Sequence, residues 1–148
     1  MRTTLTPHIR ASVDKALAAS LGKPWVALGR GPNSFDCWGF VRYIFNTAGV
    51  YIPDIVLTPV SDIRTVATEN GIDAVQVAPR TPYSLVMLGR RGAFGHVGIY
   101  HPSGIVYHCL EKQGVVGHQP TILSGIFDSV EYWSIADGPR PLSPEPAR

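Results

Sequence analysis

Apolar residues follow two kinds of pattern along this chain, and the change comes near its middle. Ile9, Val13, Leu17 and Leu21 recur at intervals of four, one stripe of an amphipathic helix. Thr6-Pro7 reads as an N-cap followed by proline at the first helical position, and Gly22 as the stop. Lys23 to Pro32 is a loop, with Gly29, Gly31 and two prolines. Phe40, Val41, Ile44, Phe45 and Ala48 then give a second helix its buried face. That helix starts at Asp36 or Cys37 and ends at Gly49. Pro59 to Asn70 is a weaker third helix, with Ile63, Val66 and Ala67 inward and Gly71 after its end.

The apolar runs then shorten. Ala74–Ala78, Leu85–Leu88, His96–Tyr100, Ile105–Leu110, Val115–His118 and Val130–Ile135 are rich in β-branched or aromatic residues and are punctuated by Gly, Pro or Ser. Helices first and strands afterwards predict an α+β fold, with N-terminal helices packed on an antiparallel sheet. The last residues, Pro-Arg-Pro-Leu-Ser-Pro-Glu-Pro-Ala-Arg, read as an extended segment. The expected organisation is one domain over residues 1–137 and a proline-rich tail over 138–148.

Composition supports this picture and narrows the function. With 45% apolar and 16% charged residues, a packed core is expected rather than disorder. A net charge of +2, with Arg90-Arg91 the one adjacent basic pair, gives nucleic acid nothing to bind. No apolar run is long enough to span a membrane. The first eight residues lack the apolar stretch of a secretory signal, so the expected location is the bacterial cytoplasm or a particle that carries the protein out. Cys37 and Cys109 are too few for a disulfide framework or a thiolate zinc site. A bridge between them would block the chemistry considered next.

Cys37 opens an apolar helical pattern. Free backbone N–H groups and the helix dipole favour an anion at that position, so a lowered thiol pKa is expected there. A lone cysteine is by itself as well read as a small buried residue. Histidines strengthen the reactive reading. His96 and His108 lie in consecutive strands joined at Pro102-Ser103-Gly104. A two-residue loop would send them to opposite faces. A three-residue loop, a type I turn closed by glycine, puts both on one face, and Pro-Ser-Gly suits it. Cysteine, a base and a third group that orients the base are what nucleophilic thiol chemistry needs. Cys109, next to His108, is expected on the opposite face, in the core. A metal site made from Cys37, His96, His108 and Cys109 is disfavoured for that reason. His101 and His118 fall in or near turns and are expected to be exposed, and Asp36 is expected to be an N-cap.

These segments together resemble the NlpC/P60 family of papain-like cysteine peptidases. Gly22-Lys23-Pro24-Trp25 is similar to the family's Gly-x-Pro-Tyr, Phe35-Asp36-Cys37-Trp38-Gly39-Phe40-Val41 to its Phe-Asp-Cys-Ser-Gly-hydrophobic-Val, and His96-Val97-Gly98-Ile99-Tyr100 to its His-Val-Gly-Ile-Tyr. Val106-Tyr107-His108 is similar to the strand that carries the third catalytic residue. The resemblance implies a helix carrying the nucleophile against an antiparallel sheet, no cofactor and no metal. It implies hydrolysis of peptidoglycan stem peptides, often at the bond from D-glutamate to a diamino acid. Carried over by position, Cys37 is the nucleophile, His96 the base and His108 its orienting partner. Trp25, Asp36, Trp38 and Arg91 are the expected substrate-binding residues. Trp25, Trp38 and the small size look closest to members carried in phage tails, with other tail proteins as partners. Trp25 stands where the family has Tyr, and Ser84 where it has Asp. The competing readings are a degenerate structural tail protein and a thiol acyltransferase or amidase on the same scaffold.

Overall fold

A computed structural model describes residues 5–58 and 60–135. The expected proline-rich tail and its boundary lie outside the described residues. Among the described residues, four helices and six strands follow in the order α1 (Pro7–Ser20), α2 (Cys37–Thr47), α3 (Ile63–Glu69), β1 (Val75–Val77), β2 (Leu85–Arg90), β3 (Ala93–Tyr100), β4 (Val106–Leu110), β5 (Gly114–His118), α4 (Pro120–Leu123) and β6 (Ser129–Ser134). The strands form one antiparallel sheet in the order β1-β6-β2-β3-β4-β5. This is the expected α+β arrangement. None of the described helices is long and apolar enough to cross a membrane.

Strand alternation divides the apolar residues between two layers. Leu85, Met87, Val97, Ile99, Cys109 and Val115 face Phe40, Val41, Ile44 and Phe45 of α2 and Val13 and Leu17 of α1, and these make the main core. Val86, Leu88, Tyr100, Val106 and Tyr132 face the other way and gather with Leu123 of α4 into a smaller cluster. Helix α4, absent from the sequence reading, is a single turn with Pro120 at its start; it is too short for apolar periodicity to register.

Two element boundaries move. Helix α1 ends at Ser20, and Leu21 is its half-exposed C-cap rather than the last member of the buried stripe. Helix α3 begins at Ile63, where Asp62 caps it by accepting from the Arg64 N–H at 2.9 Å; the expected start, Pro59, lies outside the described residues.

The β3–β4 hairpin closes as its turn residues require. His101 N–H donates to the Ile105 carbonyl, Gly104 N–H donates to the His101 carbonyl, each at 2.9 Å, and Gly104 sits at φ +90°. The loop is Pro102, Ser103 and Gly104. The next hairpin repeats the device, with Leu110 paired to Gly114 across Glu111, Lys112 and Gln113, and Gly114 at φ +76°. Both loops are odd in length, so even-numbered residues of β3, β4 and β5 share one face of the sheet.

Candidate active site

The start of α2 is held by its preceding loop. Asp36 caps the helix, accepting the Gly39 N–H at 2.7 Å, as expected. The Arg30 guanidinium donates to the same carboxylate oxygen at 2.8 Å and to Asp54 at 2.8 Å, tying the loops on either side of the helix together. Glycine is required two residues after the nucleophile: a Cβ at Gly39 would collide with the Gly29 carbonyl oxygen. This close approach fixes where Cys37 emerges.

Cys37 opens on a cleft of about 550 Å³ lined also by Trp25, Asp36, His96, Glu111 and Phe127. The β3–β4 ladder pairs Tyr100 with Val106, Ile99 with Tyr107 and Gly98 with His108. The backbone N–H groups of Val97, Trp38 and Cys37 itself each favour the ionised form of the Cys37 sulfur. Both cysteines are free thiols. Cys109 is buried, and its Sγ donates to the Phe35 carbonyl at 3.3 Å on the helix side of the sheet.

His96 and His108 share the opposite face. His96 Nε2 lies 2.8 Å from His108 Nδ1. His108 is fully buried, and Gly98 provides its space: a Cβ there would meet His108 Cβ at 3.0 Å. The chain of rings does not stop at His108. Its Nε2 lies 2.8 Å from Nδ1 of His118, at the end of β5. His118 is therefore not an exposed turn residue. The second odd loop, Glu111-Lys112-Gln113, turns it to the same face as His108, and that loop length was the sequence signal for it. Phe127, also unforeseen, stacks on His96 at 5.5 Å with rings 5° from parallel. His101 is likewise engaged, with Asp14 at 2.9 Å and Ser103 at 2.8 Å.

Burial sets the charge state of these groups. It pushes the Cys37 thiol up to about 12, and the Asp36 carboxylate adds to the rise. The three backbone N–H groups act the other way and lose. The lowered thiol pKa expected at this helix start is thus not what the folded site produces, because desolvation of the anion outweighs the helix N-terminus. Burial also lowers His96 to about 4. It lowers His108 to about 3, with the neighbouring His96 and His118 contributing. Thiol and imidazoles rest neutral at physiological pH.

The other expected substrate contacts separate. Trp25 and Asp36 line the cleft. Trp38 does not: it is 1% exposed, packs in the main core and donates from Nε1 to the Pro53 carbonyl at 3.2 Å. Arg91 lies exposed in the β2–β3 turn, its backbone N–H held by Asp128 at 2.8 Å, and is not among the residues that line the cleft. Its neighbour Arg90 is the one that reaches toward the site, over the Phe127 ring. Ser84 is buried and donates to the Thr81 carbonyl at 2.6 Å, so it closes a turn rather than offering charge. No group of three or more His, Cys, Asp or Glu among the described residues is arranged to hold a metal.

Comparison with known proteins places this geometry among relatives. The NlpC/P60 family model matches residues 22–124. The probable endopeptidase p60 of Listeria grayi is 31% identical over 84 residues, covering 57% of this chain and 15% of that protein. The chain thus spans a small part of the length of the curated relatives it matches. The NlpC/P60 domain of the peptidoglycan hydrolase SagA superposes with a TM-score of 0.60 at 21% identity, covering 84% of this chain and 96% of that one. RipD of Mycobacterium tuberculosis, described as a non-catalytic NlpC/P60 domain protein adapted to peptidoglycan binding, superposes with a TM-score of 0.57 at 17% identity. It covers 86% of this chain and 97% of its own.

Proposed function

The chain belongs to the NlpC/P60 family of peptidoglycan-hydrolase-like endopeptidases, and from that premise we propose that it is a cysteine-dependent endopeptidase acting on bacterial peptidoglycan stem peptides. One observation carries the reading. Cys37 and His96 open on the same cleft, and His108 Nδ1 lies 2.8 Å from His96 Nε2, so Nδ1 of His96 is the ring nitrogen this reading assigns to the thiol.

In this reading His96 Nδ1 takes the thiol proton as Sγ attacks the scissile carbonyl carbon. The carbon–sulfur bond forms, and the carbonyl oxygen becomes an oxyanion facing the backbone N–H of Cys37. The proton on His96 then passes to the leaving amine as the carbon–nitrogen bond breaks. Water, deprotonated by the same imidazole, releases the acyl group and restores the thiol. His108 holds the ring of His96 in plane and accepts from its Nε2–H throughout. The neutral thiol–imidazole pair moves one proton internally and needs none from solvent.

We further propose that the bond cleaved joins D-glutamate to the diamino acid of the stem, and that the enzyme is carried in a phage tail or a related particle. Both rest on the sequence resemblance. Stem-peptide fragments incubated with the wild type should yield new termini by mass spectrometry at that bond. Cys37→Ala should lower the rate by at least about 10³-fold. Failure of the wild type to cleave, combined with retention on insoluble wall, would instead establish a binding domain of the RipD kind. Detection of the chain in purified virions tests the tail assignment.

A further inference from the structure

His108 has both ring nitrogens bonded to other histidines, His96 on one side and His118 on the other, at 2.8 Å each. A neutral imidazole has one donor and one acceptor nitrogen. Three neutral rings linked in this way must all point the same way. Either each donates toward His118, or each donates toward His96.

The two directions differ at the cleft. If the rings donate toward His118, His96 carries its hydrogen on Nε2 and Nδ1 is a bare lone pair. Once His96 takes the thiol proton, its Nε2–H still meets an acceptor at His108 Nδ1. If the rings donate toward His96, its hydrogen sits on Nδ1 and it cannot accept from the thiol. Protonation would then set two N–H groups against each other. His108 cannot escape the choice by taking a charge, because it is fully buried.

We propose that His118 is a positioning residue that fixes the direction of this relay: its Nδ1 accepts from His108 Nε2–H, and so holds Nδ1 of His96 free for the thiol proton. The role rests on the reading of Cys37 and His96 as nucleophile and base. The segment that follows His118 serves the same end. Pro120 to Leu123 makes one turn, the Leu123 carbonyl accepts the Phe127 N–H at 2.8 Å, and Phe127 then lies flat on His96. One stretch of chain thus holds both ends of the relay.

The direction can be read without activity. Long-range proton–nitrogen NMR of the ¹⁵N-labelled full chain at neutral pH distinguishes Nδ1–H from Nε2–H histidines. The wild type should show His96 and His108 protonated on Nε2. His118→Leu removes the acceptor and should shift His108 toward Nδ1–H, with kcat reduced at least about tenfold and KM unchanged. His118→Asn, whose Oδ1 can take the place of Nδ1, should restore both. A wild-type His108 protonated on Nδ1 overturns the proposal outright, even if the leucine variant does not fold. So does a folded His118→Leu variant with unchanged tautomers. Should the tautomers behave as expected while the wild type cleaves no wall fragment, the peptidase reading fails and the positioning role stands.

Discussion

At Cys37 opposing influences act on one sulfur. The helix start and three backbone N–H groups favour the thiolate, while burial and the adjacent Asp36 favour the thiol, and the latter win. The nucleophile is therefore made reactive by proton transfer to His96 during attack, not by resting as an anion. This has a measurable consequence. Iodoacetamide should label Cys37 of the free protein at pH 7.5 at least about 100-fold more slowly than free cysteine, since the thiolate is the reactive form. Mapping the labelled peptide separates Cys37 from buried Cys109. Rapid labelling with an acid limb near pH 4 would show that the resting state is a thiolate–imidazolium pair instead. Trp38 gives a second lesson at this scale. It adjoins the nucleophile in sequence, yet its side chain is in the core, so Trp38→Phe should act through stability and leave KM unchanged.

Elements fix the site through one close approach and one loop length. Helix α2 can press against the 23–36 loop because Gly39 has no side chain. Gly39→Ala should destabilise the fold by about 1–3 kcal/mol, read from the urea midpoint, as the helix or the Gly29 carbonyl gives way. In the sheet, the three-residue Pro102-Ser103-Gly104 loop brings His108 to the face of His96. Deleting Tyr107 within β4, with this loop intact, would move His108 into register with Ile99 and so turn it to the helix side, bringing Cys109 to the face of His96. The expected result is loss of cleavage comparable to His108→Ala, with lowered stability. Full activity in the deletion variant would refute the parity argument.

Across the whole molecule, the buried histidines tie stability to pH. His96 and His108 titrate near 4 and 3 in the folded protein against about 6.5 when unfolded. Between these values the unfolded chain binds more protons than the folded one, so stability rises with pH in that window. It is fully present above about pH 7 and is lost as pH falls from 6.5 toward 4. The slope is up to about 2.7 kcal/mol per pH unit for the two groups together, an upper bound because His96 opens on the cleft. His108→Gln should roughly halve that slope in thermal or urea unfolding followed from pH 7 to 4. An unchanged slope would mean that the histidines accept protons while folded.

Features set by neighbours along the chain were legible in the sequence. Capping by Thr6 and Asp36, the apolar face of α2, and the single face shared by His96 and His108 all follow from side-chain period, cap chemistry and turn length, which act over a few residues. The order of the strands did not follow in this way. Nor did the fate of side chains whose surroundings come from far along the chain. Trp38 enters the core because Pro53 supplies its acceptor. Phe127 reaches His96 through a one-turn helix too short to leave a periodic signal. His118 joins His108 only after a second odd loop repeats the parity of the first. The charge of Cys37 was decided last, because desolvation depends on everything packed around the sulfur, and the local helix start that favours an anion is the weaker term.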